Sequence, residues 1–207
     1  MKKNNVLIEA AVNSFRMIYD PSGVFNDLKK NPRSLSISIT AFLIMFTVYT
    51  GTLVIGAVFT RVKSYLPLLI DIFPGNFYLW IAVIMPVIIL LNLMGVAIAY
   101  GLAKASKSGA DFKTIFIFVN LALTVPWWAG WISDSAAIIG SIITGFHDFP
   151  YWALAVIDFF YGVMALATLI LVPIAIYKST GINRTRSILI SLAVLIPYWG
   201  LMSLLVL

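Results

Sequence analysis

FYLWIAVIMPVIILLNLMGVAIAYGL, residues 77–102, contains no charged side chain. At 1.5 Å per residue it makes a helix of roughly 39 Å, longer than the ~30 Å hydrocarbon core of a bilayer. A helix this long and apolar on every face has its natural solvent in lipid, so the segment is read as crossing a membrane. Four further runs, 35–59, 112–132, 151–177 and 188–207, have the same character. Apart from Lys113 at the mouth of 112–132, the charge inside them is Asp158. Two shorter apolar runs, 65–73 and 136–146, fall below a crossing length and are expected to be interfacial or re-entrant.

The composition agrees. The 207 residues are 61% hydrophobic and 11% charged, with a mean hydropathy of +1.00, whereas soluble domains are about 25% charged. The expected fold is therefore an all-α integral membrane protein with five transmembrane helices: a cytoplasmic amphipathic arm over residues 1–34 and a transmembrane domain over 35–207. The first long run follows a mixed polar stretch and is too long for a signal peptide, so the start is expected to be retained. With no cysteine and one histidine, thiol chemistry and multi-histidine metal sites have no residues within the chain. No cofactor is expected.

The net charge of +6 is distributed by side. The segments before span 1, between spans 2 and 3 and between spans 4 and 5 hold twelve basic residues, among them Lys29, Lys30, Arg33, Lys107, Lys113, Arg184 and Arg186; the other side has Arg61 and Lys63. Basic residues collect on the cytoplasmic side. The expected disposition is a multi-pass protein of the cell membrane, N-terminus cytoplasmic and C-terminus outside, with no nucleic-acid partner. All six tryptophans then fall toward the outer leaflet, where indole favours the interface.

Within the arm, Leu7, Ile8, Ala11, Val12, Phe15, Ile18 and Tyr19 recur at helical spacing, which predicts a helix lying on the inner surface. Asp20-Pro21 is an N-cap with proline at the first helical position, predicting a second helix over 21–30, and Asn31-Pro32 repeats the device ahead of span 1. Phe25 and Leu28 are expected to dip into lipid while Lys29, Lys30 and Arg33 meet anionic headgroups.

Shifted by 71 residues, 107–129 superposes on 178–200 with Lys107/Lys178, Ser108/Ser179, Pro126/Pro197 and Trp128/Trp199 identical and Trp127 over Tyr198. Spans 2–3 and 4–5 are therefore expected to be parallel hairpin repeats, an arrangement found in transporters. Pro86, Pro126, Pro173 and Pro197 each remove a backbone bond from a span and are candidate hinges. Gly51, Gly95 and Gly101 are candidates for close helix contact.

Asp158 is the sharpest site candidate, because an aspartate at the centre of a spanning helix costs about 2.5–3.5 kcal/mol on insertion scales and faces a partner or cavity. Asn92 and Asn120 are its candidate neighbours in an intramembrane proton, cation or polar site. His147 and Asp148 stand beside Asp134 in an outer segment, with too few imidazoles for a metal centre. No nucleophile–base pair or phosphate loop occurs, so the protein is read as non-enzymatic.

The stretch Asp20-Pro-Ser-Gly-Val-Phe-Asn-Asp-Leu-Lys-Lys-Asn-Pro32 ahead of span 1, the Pro126-centred third span, and Gly181-Ile-Asn-Arg-Thr-Arg-Ser-Ile-Leu189 entering the fifth resemble the Yip1 domain family in its compact prokaryotic form. The Asp-Leu-Tyr-Gly-Pro motif of its eukaryotic members is absent. The resemblance implies a small multispanning, permease-like protein. From the residues themselves the leading expectation is a scaffold or partner-binding component, acting through its basic cytoplasmic face on anionic headgroups, other membrane proteins or further copies of itself. The alternative is a small-solute, proton or cation transporter or permease subunit using Asp158.

Overall fold

The computed structural model describes residues 5–60, 77–143 and 151–205. The described residues form helices α1 (Val6–Tyr19), α2 (Pro21–Lys30), α3 (Ser34–Thr60), α4 (Phe77–Ala105), α5 (Phe112–Thr124), α6 (Trp127–Ile143), α7 (Tyr151–Thr180) and α8 (Arg184–Leu205). Among the described residues five segments are long and apolar enough to cross a membrane, and α5 with α6 supplies one of them, Phe112–Gly140. This third span is the hub: 72% of its most apolar stretch is buried inside the protein, against 28 to 39% in the other four. It packs on α3, α4 and α7, and α8 closes the bundle against α4 and α7.

The run 136–146 was expected to be a separate piece. Through Ile143 it instead continues α6 without interruption, because the polar Ser133-Asp134-Ser135 that seemed to end the span is held inside the bundle; residues 144–146 lie outside the described residues. So do the run 65–73, the basic pair Arg61 and Lys63, and His147 with Asp148.

Local capping sets the arm. The Asn5 side chain accepts from Leu7 N–H and starts α1; Asp20 Oδ1 accepts from Gly23 N–H at 2.9 Å and starts α2 behind Pro21. Asn31 is extended, as a residue before proline must be, and Arg16 ties the helices together through Asp27 at 2.9 Å and Asp20 at 3.4 Å. Helix α1 has three faces. Ala10, Ser14 and Met17 are buried, and α1 packs on α3. Leu7, Ile8, Val12, Phe15, Ile18 and Tyr19 are exposed. Asn31 Nδ2 donates to Glu9 on the polar side.

The expectation that Phe25 and Leu28 enter lipid is overturned. They are 0% and 2% exposed, and the Phe25 ring stacks on Phe118 of α5 with centroids 4.8 Å apart. The bundle offers an aromatic partner, so α2 plugs into its end while α1 carries the exposed apolar face.

Loop geometry follows from helix ends. Ser108 N–H returns to Ala103 carbonyl and Lys107 N–H to Lys104 carbonyl, closing α4 with Lys107 at φ 59°. Gly181, at φ 69°, closes α7 through Tyr177 carbonyl. Asp111 caps α5 by accepting from Thr114 N–H at 2.8 Å; its hydrogen bonds with Thr114 hold its carboxyl below the usual range. Of the glycines expected at close contacts, Gly95 is one, since a Cβ there would stand 2.9 Å from Leu123 Cδ1. Gly51 and Gly101 meet open space.

Candidate functional site

The site is built where span 3 breaks. Pro126 cannot donate to the carbonyl four residues back. The chain instead tightens, with Trp128 N–H bonding Val125 carbonyl at 3.2 Å and Ala129 N–H bonding Pro126 carbonyl at 2.9 Å, and α6 restarts at Trp127. Pro86, Pro173 and Pro197 lie inside continuous helices, so of the four candidate hinges Pro126 alone interrupts its helix.

Below the break, Asn120 is buried and donates to Ser38 Oγ at 3.0 Å and to Ser38 carbonyl at 3.3 Å, while Ser38 Oγ donates to Ile117 carbonyl. This locks span 3 to span 1. At the break, Trp127 Nε1 donates to Tyr198 Oη at 2.9 Å, and Tyr198 donates to Asn92 Oδ1 at 3.4 Å. The Tyr49 ring stands edge-on to Trp127 at 5.2 Å. One to two turns further along α6, Asp134 Oδ1 accepts from the Tyr161 hydroxyl at 2.9 Å, and the buried Tyr49 interacts electrostatically with the same carboxyl and with Tyr198. Tyr49 of α3, Asn92 of α4, Trp127 and Asp134 of α6, Tyr161 of α7 and Tyr198 of α8 thus form one interior cluster, to which every crossing segment contributes.

Two atoms in it are unsatisfied. Asn92 Nδ2 and Asp134 Oδ2 are enclosed by protein and have no hydrogen-bond partner among the described residues. Leaving a buried polar atom unpaired costs about 1–3 kcal/mol, and more if it is charged. No ion pair to Asp134 occurs among the described residues. The arrangement presents a carboxylate oxygen as an acceptor and an amide as a donor inside the membrane domain.

The sequence-level candidates separate. Asn92 and Asn120 are both buried but belong to different layers with different partners. Asp158 joins neither: it is exposed on α7, off the line of Ala153, Met164 and Thr168 along which that helix is buried. The enclosed carboxyl is that of Asp134, a half-buried residue whose Oδ2 is shielded by protein and which sequence reasoning assigned to an outer segment. Of the tryptophans, Trp127, Trp131 and Trp199 are spent on Tyr198, Thr52 and Thr168 within the bundle, while Trp152 is exposed. Lys29, Lys30, Arg33, Lys107, Lys113, Arg184 and Arg186 are all exposed. They gather at one end, where Ser108 Oγ bonds Thr180 carbonyl and Lys178 bonds Asn26.

Among known proteins, the chain matches no family model, no curated protein and no solved structure.

Proposed function

We propose that this multispanning membrane protein is a non-enzymatic permease that moves a small ion or solute through its five-helix domain, with the Asp134 cluster as its internal site. The observation that carries the reading is the enclosed, unpartnered Oδ2 of Asp134 at the meeting of all five spans. Ionisable side chains inside membrane domains commonly mark ion or proton paths, and a discontinuous helix beside one is a way transporters expose polar groups at depth. The repeat reading fits. Residues related by an approximate two-fold meet each other at its axis; Trp127 and Tyr198, equivalent at the 71-residue offset, are hydrogen-bonded, and Ser108 meets Thr180, the residue after its own equivalent Ser179, about 20 Å away along the bundle. That supports an axis along the membrane normal. Basic loops at the end carrying the arm favour a cell-membrane protein with that end cytoplasmic and the C-terminus outside, and the Yip1-like stretches accord with a small permease-like protein.

The test is flux in proteoliposomes under imposed proton or sodium gradients. Native protein should give protein-dependent flux that Asp134→Asn abolishes and Asp158→Asn retains; absence of flux with correctly oriented native protein sinks the reading. The exposure of Lys29, Lys30 and Arg33 beside the docked α2 favours, as a second role, contact with anionic lipid or a partner through the basic end. Replacing the three with glutamine should then weaken retention on anionic vesicles, and unchanged retention would remove that role.

A further inference from the structure

We infer that Asp134 Oδ2 is a proton-binding site, alternating between carboxylate and carboxylic acid, and does not bind a metal cation. The inference names the ion for the site described above; its role in transport rests on the permease reading, whereas the binding itself does not.

The argument is an account of oxygen atoms. A hard cation surrounds itself with about six oxygens. Around Asp134, Oδ1 already accepts the Tyr161 hydrogen at 2.9 Å, and a cation bridging those two oxygens would have to displace it. Ser133 and Ser135 are neighbours in sequence on a helix and so do not share the face of Asp134; their hydroxyls go to Ile157 carbonyl at 3.1 Å and Trp131 carbonyl at 2.8 Å. Thr52 Oγ1 is used twice, accepting from Trp131 Nε1 and donating to Val48 carbonyl. Among the described side chains what remains is Oδ2 and the Tyr49 hydroxyl, too few for a coordination shell and sufficient for a proton. No group of three His, Cys, Asp or Glu side chains gathers elsewhere among the described residues.

Two bonded states are available. In the carboxylate, the Tyr49 hydroxyl, which interacts with the same carboxyl, is the donor available to Oδ2. On protonation an O–H bond forms at Oδ2, the carboxyl loses its negative charge, and the new hydrogen faces the Tyr49 oxygen. No electrons move, and water supplies and receives the proton. Tyr161 donates to Oδ1 in both states. Among the described residues, the titratable groups that face the carboxyl are Tyr161 of α7 and Tyr49 of α3; α5 presents none there, and Asp158, three residues before Tyr161 on α7, is exposed. Tyr49 also stands edge-on to Trp127 at 5.2 Å, which joins the Asp134 carboxyl to the Trp127–Tyr198–Asn92 layer.

The experiment is an infrared pH titration of the full chain in liposomes, with sodium exchanged for choline. The expected result is a pH-dependent carboxylic-acid C=O band that is missing in Asp134→Asn, is kept in Asp158→Asn and shifts in frequency in Tyr161→Phe, which preserves the ring but removes the hydrogen bond. Its midpoint should not depend on sodium, whereas competition by a bound cation would move it by about one pH unit per tenfold change in sodium. A native protein without the band, or a midpoint that sodium displaces, overturns the inference. Should Asp134→Asn fail to insert, the Tyr161→Phe frequency and the sodium series on native protein still decide. A sodium-independent band without any proton flux would leave the proton site standing and remove the permease reading.

Discussion

Spans 3 and 4 each carry an aspartate and a proline, and the bundle uses them in opposite ways. In span 3, Pro126 breaks the helix and Asp134 is drawn into the interior with Tyr161. In span 4, Pro173 sits in an uninterrupted α7 and Asp158 is exposed. Residue type alone therefore does not choose the functional carboxylate. What chooses it is the face on which a helix presents the residue and whether neighbouring spans supply hydroxyls at that height.

The sharpest way to break this comparison is to exchange the two aspartates for asparagine in turn. Asp134→Asn should abolish gradient-driven flux in proteoliposomes and Asp158→Asn should leave it near native; equal losses would erase the distinction. The prolines come next. Pro173→Ala removes an interior helix breaker, worth up to about 3 kcal/mol in a helix interior, and should raise the thermal midpoint in detergent. Pro126→Ala lets the helix run through, swings Trp127 away from Tyr198, and should lower flux while changing tryptophan fluorescence. Within span 3, Asn120→Leu removes the two donations to Ser38. At roughly 0.6 kcal/mol per interhelical bond, and up to ~1.7, a loss of about 1–2 kcal/mol should appear in unfolding titrations. At the end of span 4, Gly181→Ala places a side chain at φ 69° and should cost about 1 kcal/mol by the same measurement. The smallest effect is at the start of span 3. Asp111 has a lowered folded pKa, so its stabilisation is fully present above the unfolded value of about 3.9 and is lost as pH falls through the folded one. Asp111→Ala should flatten that acid limb, with a loss of order 1 kcal/mol or less at neutral pH.

The sequence made the membrane domain legible because length and apolarity are one-dimensional properties: each of the five crossing segments was visible as an uninterrupted run. The caps at Asp20-Pro21 and Asp111 are equally local. Asp134 was hidden because Ser133-Asp134-Ser135 reads as a polar loop after the Trp127-Trp128 pair, and only the continuation of apolar residues through Ile143 hints that the helix goes on. Phe25 misled for a related reason, since an aromatic beside Lys29 and Lys30 has the composition of a lipid anchor and nothing nearby in sequence announces Phe118. The Trp127–Tyr198 bond was the one long-range contact with a sequence trace, as the two align at the 71-residue offset. Tyr49 and Tyr161 had none.

The stacking of Phe25 on Phe118 also orders the protein's birth. Synthesis proceeds at about 5–20 residues per second, so α2 is made roughly 5–20 s before its aromatic seat exists, and Lys178, which bonds Asn26, arrives later still. During that interval α1 has its seat on α3, whereas α2 lacks its own. Docking of α2 therefore follows synthesis of the third and fourth spans, late in the protein's assembly.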